Sequence, residues 1–176
     1  LPLLIDRSVP VATAIGDRYL WIEGEELSRG HDRKGMFGEE ARDRLSGGGW
    51  FSFSSSNPER LDFEIPPVSG ESLHLWVRAT TARAAFGVDA AGGATFERSP
   101  LDWQDVQVLP VESGADVRRI GWVKLGTLDG VGEGCRIGIA LRGEGREEGF
   151  QGAVDCILLT PDPRLIPSGV GDPEER

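Results

Sequence analysis

Hydrophobic and polar residues alternate in short runs along most of this chain, with a period of two. In Arg60-Leu61-Asp62-Phe63-Glu64-Ile65 every second place is apolar, which is the pattern of a strand with one face in a core. Pro66-Pro67-Val68-Ser69-Gly70 then breaks the run with residues that fix or free the backbone for a turn. Ser72 to Arg78 puts Leu73, Leu75 and Val77 on one face and His74, Trp76 and Arg78 on the other. Ala84, Phe86 and Val88 continue the pattern up to Ala91-Gly92-Gly93. Further strands are predicted from Tyr19 to Glu23, Trp50 to Ser54, Val106 to Leu109, Ile120 to Leu125, Cys135 to Leu141 and Val154 to Thr160. Only Glu39 to Leu45 reads as a short helix. Many short strands, 25 glycines and frequent turn signals predict an all-β fold, a β-sandwich or jelly roll, over any α/β arrangement.

The 176 residues suit one domain with short extensions. Residues 1–17 lack clear alternation. From Pro161 onward Pro163, Pro167 and Pro173 give the composition of a linker. The expected organisation is an N-terminal extension over 1–17, a sandwich over 18–161 and a tail over 162–176, all cut from a longer chain. The opening Leu1-Pro2-Leu3-Leu4-Ile5 is too short for a signal peptide and lacks a basic start.

The formal charge of -10, from 19 basic and 29 acidic residues, argues against nucleic acid and anionic membranes, which need clustered Lys and Arg. No apolar run is long enough to span a bilayer. Surplus carboxylates suit calcium, although most serve solubility alone. If the segments around Cys135 and Cys156 paired through the loop near Arg146, Cys135 would face the region of Thr160. Cys156 would then face Ile139, too far away to bridge, so two free thiols are expected. His31 and His74 are the only histidines, and there is no Gly-x-Ser-x-Gly elbow, phosphate loop or Cys/His cluster. The reading is therefore non-enzymatic. A carboxylate pair of the glycosidase kind is the catalytic alternative.

Four segments, in order, carry a resemblance. They are Trp21-Ile22-Glu23-Gly24-Glu25; Leu61 to Ile65 with Gly70 and Leu73 to Arg78; Trp122-Val123-Lys124-Leu125-Gly126 leading to Gly134; and Ala153 to Thr160. Together, over residues 19 to 160, they resemble carbohydrate-binding modules of families 6 and 35, with a galactose-binding-like jelly roll. The resemblance implies a structural calcium held by Glu23, Glu25 and Asp155. Residues i and i+2 of a strand face the same way, so Glu23 and Glu25 would project together, and backbone carbonyls would complete the shell. The same residues also read as a solvated face, with Asp155 satisfied by backbone N–H groups. The resemblance further implies a secreted, extracellular or periplasmic accessory module that binds a polysaccharide or oligosaccharide beside a catalytic domain. The alternative is a docking or spacer sandwich that packs on a partner without free glycan.

Sugar recognition by such modules needs an aromatic platform with polar groups nearby. Trp103, in the polar stretch Phe96 to Gln104, is the leading candidate; its alternative is packing at a strand start. Trp50 follows Ser46-Gly47-Gly48-Gly49, where glycines serve either ligand approach or chain geometry. Phe150 and Gln151 precede the Asp155 strand, at a place where the family often shows Asn. Trp122 reads as core. His74, Trp76 and Arg78 form either a second platform or a stack under a loop. Exposed Trp50 and Trp103 would favour a glycan module, and buried ones a spacer.

Overall fold

Alternation resolves into two antiparallel sheets packed face to face. The computed structural model describes residues 11–15, 18–27, 39–54, 59–66, 72–81, 84–90, 96–98, 102–109, 118–143 and 151–170. In chain order the strands are β1 (Thr13–Ile15), β2 (Tyr19–Glu23), β3 (Phe51–Ser54), β4 (Glu59–Glu64), β5 (Ser72–Thr80) and β6 (Ala84–Ala90). They continue as β7 (Phe96–Arg98), β8 (Gln104–Leu109), β9 (Arg118–Asp129), β10 (Arg136–Gly143) and β11 (Gln151–Thr160). A single helical turn, α1 (Gly24–Leu27), follows β2, and 3-10 turns span Glu39–Arg44 and Ser46–Gly48.

The larger sheet has the order β1-β2-β11-β5-β9-β8, with β3 also on β11; the smaller is β4-β10-β6-β7. β3 pairs with the start of β11 and β2 with its end, so the two lie end to end along one edge of β11. This is the all-β sandwich jelly roll expected from the pattern. Leu61, Phe63, Leu75, Val77, Phe86, Val88, Ile139 and Ile157 meet between the sheets in the main core, as their alternation requires.

The outer face of the larger sheet is covered as well. The 3-10 segment lays Ala41, Leu45 and Trp50 over Leu109, Ile120 and Ala153. Near the C-terminus, Leu165 packs on Tyr19, Trp21, Trp76, Trp122, Cys156 and Leu158, and Trp122 Nε1 donates to the Gly169 carbonyl at 3.1 Å. Burial on both faces explains why Cys156-Ile157-Leu158-Leu159 is continuously apolar. Residues 161–170 are thus a strap across the sheet, and β1 joins the same sheet from within the first 17 residues.

The short helix expected from Glu39 is present, as a 3-10 turn over Glu39–Arg44. Two local features differ. The short β1 and β7 were not legible as alternation, because three residues give too little of a period. The segments holding the cysteines do not pair with each other. β10, which follows Cys135, lies in the smaller sheet and β11 in the larger, so topology separates Cys135 from Cys156 and no disulfide joins them.

Candidate functional site

A β-bulge builds the first feature. Pairing of β11 with β5 shifts from Val154 opposite Ala79 to Cys156 opposite Arg78, which leaves Asp155 as an extra residue aimed at the outer side of the sheet. There its carboxylate meets Arg78. Both side chains are fully buried, and Arg78 Nη1 donates to Asp155 Oδ2 at 2.6 Å. The Ser46 N–H donates to Asp155 Oδ1 at 2.8 Å, and the Ser46 hydroxyl donates to Glu23 Oε1 at 2.8 Å. Trp21 Nε1 also reaches Glu23 Oε1, at 2.8 Å. Arg78 continues to the Arg44 carbonyl at 2.9 Å and to Gln107 Oε1 at 3.3 Å.

Charged residues of β2, β5 and β11 thereby grip the 3-10 segment. The glycines after Ser46 serve that grip, since Gly47 (φ 59°) and Gly48 (φ 75°) take left-handed angles that residues with a Cβ adopt only with strain. Burial raises the Asp155 carboxyl to about 7, against the pull of Arg78 and the Ser46 N–H, and Glu23 adds to the rise. Burial and the neighbouring Asp155 likewise push the Cys156 thiol up.

The grouping bears on calcium. Glu23 and Asp155 are brought together through Ser46. β2 ends at Glu23, however, and Glu25 falls in α1, so strand parity does not relate the two glutamates. The Glu25 side chain lies outside the described residues. Glu23 Oε2 is buried with no hydrogen-bond partner, an orphaned carboxylate oxygen of the kind a hard cation satisfies. Among the described residues no three His, Cys, Asp or Glu side chains gather as a ready-made metal cluster.

The second feature is the edge at β8. Trp103 is half-buried, packs against the main core, and has its ring 6.4 Å from that of Phe86, centroid to centroid. It thus joins the start of β8, at the edge of the larger sheet, to β6 of the smaller. Asp102, Gln104 and Asp105 beside it are exposed. Trp50, in contrast, is buried and donates through Nε1 to the Ser52 hydroxyl at 2.9 Å. Phe150 lies outside the described residues, as does the side chain of Gln151. His74 is half-buried with Nδ1 3.0 Å from the Thr127 hydroxyl, while Trp76 and Arg78 are buried. That face of β5 is therefore no open platform.

Sequence reasoning missed Ser46 and the pairing of Arg78 with Asp155. One signal was present: a charge inside the apolar run of β11 requires a buried partner.

The sequence matches no protein-family model and no curated protein. Among solved structures, the fold is similar to part of the insecticidal crystal protein Cry2Aa. The TM-score is 0.50 at 12% identity, over 81% of this chain and 21% of that one. A Podospora anserina GH26-CBM35 β-(1,4)-mannanase matches with a TM-score of 0.47 at 19% identity, over 86% of this chain and 29% of that one. The chain thus spans less than a third of either protein. What the first likeness shows is a shared fold.

Proposed function

We propose that this chain is a non-catalytic accessory module of a carbohydrate-active enzyme, binding a polysaccharide or oligosaccharide at the Trp103 edge. One observation carries the reading. Trp21, Trp50, Trp76 and Trp122 are each at most 7% exposed, whereas Trp103 is half-buried on a rigid backing. A ring fixed by Phe86, with exposed Asp102 and Gln104 on either side, offers an apolar plane for sugar C–H groups and polar atoms for their hydroxyls. In this reading the module works outside the cell beside a catalytic domain. Calcium at Glu23, Asp155 and Glu25 clips β2 to β11, and its chemistry is purely structural.

The test is affinity electrophoresis through gels cast with neutral and charged polysaccharides. Retardation by at least one, lost in Trp103→Ala with the fold intact, is expected. No retardation by any of them overturns the reading. The burial of Trp50 favours a second reading, a docking sandwich that packs on a partner domain, and that reading gains if no glycan binds.

A further inference from the structure

β8 is the edge strand of the larger sheet. Val106 and Val108 lie there 43% and 47% exposed, among the few large apolar side chains that the described surface leaves open. β8 carries a bulge between Gln104 and Gln107, with Asp105 at φ 49°. The bulge sets Val106 and Val108 on one side and Gln107 and Leu109 on the other, where Gln107 meets Arg78 and Leu109 joins the outer cluster. Val106 lies across Gly121 of β9, where a Cβ would come within 3.0 Å of both Val106 Cγ2 and the Gln104 carbonyl. The missing side chain makes room for Val106 to lie over β9. Trp103, Val106 and Val108 therefore form a strip along the edge strand, about 15 Å long at the usual strand rise.

The ends of the strip carry opposite charges. Asp102 stands exposed at the Trp103 end, while the Asp105 carboxylate accepts from the Gly169 N–H of the strap on the outer face. At the other end Val108 pairs with Arg119, which is exposed, and Arg44 Nη1 donates to the Val108 carbonyl. The separation exceeds the screening length of about 8–10 Å at physiological salt, so a bound chain meets each end separately. A polyanion is repelled at one end and a polycation at the other. Strand addition is also obstructed, since the bulge and the Arg44 cap blunt this edge.

Resting on the saccharide reading above, we infer that the ligand is the interior of an uncharged polysaccharide, lying along β8 across Trp103, Val106 and Val108. Affinity then depends on chain length, because a single sugar covers only the Trp103 end.

The experiment is calorimetry with neutral oligosaccharides from one to six units, with polygalacturonate and with chitosan. It compares wild type, Val106→Ser/Val108→Ser and Val108→Glu, each checked by thermal melt and by sedimentation. Affinity is expected to rise over the first several units and then level off. The double serine variant should lose about tenfold on the longest oligosaccharide, from lost apolar contact, and nothing on the monosaccharide. Neutral sugars binding independently of length and of both valines would overturn this inference and leave the saccharide reading standing. So would tighter binding of either charged polymer. A concentration-dependent dimer abolished by Val108→Glu would make the strip a protein interface and overturn it too. Binding of no saccharide sinks both.

Discussion

Arg78 and Asp155 share a hydrogen-bonded ion pair at 2.6 Å with neither side chain exposed to solvent. The pair joins β5 to the bulge of β11 and, through Ser46 and the Arg44 carbonyl, holds the 3-10 segment on the sheet. Two charges so placed stabilise the fold only as a pair, because either one alone is buried and uncompensated. Arg78→Met and Asp155→Leu should each lower stability by about 3–5 kcal/mol, and the double variant by less than the sum. Urea denaturation of the four proteins at pH 8, above the raised Asp155 value, measures this. Additive losses would show that the two residues act independently.

The same carboxylate sets a pH dependence. Burial raises Asp155 from 3.8 to about 7 in the folded chain, so between those values the folded state holds a proton that the unfolded state has released. The associated stability is present below the unfolded value and is lost as pH rises through about 7. Relative to Asp155→Asn, calcium-free wild type should therefore lose stability from about pH 4 to pH 7. Parallel curves for the two proteins would place the titration elsewhere.

Gly24, at the start of α1, presses on the β11 bulge. A Cβ there would lie 2.4 Å from the Val154 carbonyl oxygen and 2.7 Å from that of Asp155. These are backbone atoms and cannot swing aside. Gly24→Ala should destabilise by about 1–3 kcal/mol, in the range of other overpacked sites. A melting temperature equal to that of wild type would show that α1 shifts freely.

The strap over residues 161–170 shields the aromatic cluster, with Leu165 against it and Trp122 bonded to Gly169. Truncation after Pro161 should expose Trp122 and Trp76, lower the melting temperature and create binding of a hydrophobic dye. Leu165→Ala should do the same more weakly, by about 1–2 kcal/mol for a half-buried leucine. An unchanged truncated protein would mark the strap as a passive tail.

Proposed calcium at Glu23 and Asp155 should add stability by mass action, about 2.7 kcal/mol at a hundredfold excess over Kd. A chelator should lower the melting temperature of protein prepared in calcium, and Glu23→Gln should remove most of that response. No shift at any chelator concentration would discard the ion.

How much was legible follows from what each pattern encodes. Leu61, Phe63 and Ile65 announced their strand because β4 is covered on one face only. Strand β11 showed its apolar run but not its neighbours, because covering on both faces erases alternation. Strand parity related Glu23 to Glu25 only while the strand continued, and α1 ended it. The bulge at Asp155 has no periodic signature, so its partner Arg78 read as part of a possible platform. Trp103 was marked by its polar surroundings, and its ring is packed on the core yet not fully covered.

Saccharide binding at Trp103 is the central claim. Isothermal titration of wild type and Trp103→Ala against plant, algal and animal polysaccharides tests it most directly. Measurable heat for at least one glycan, reduced tenfold or more by the substitution, is the predicted result. Equal affinity of the two proteins for every glycan that binds would contradict it.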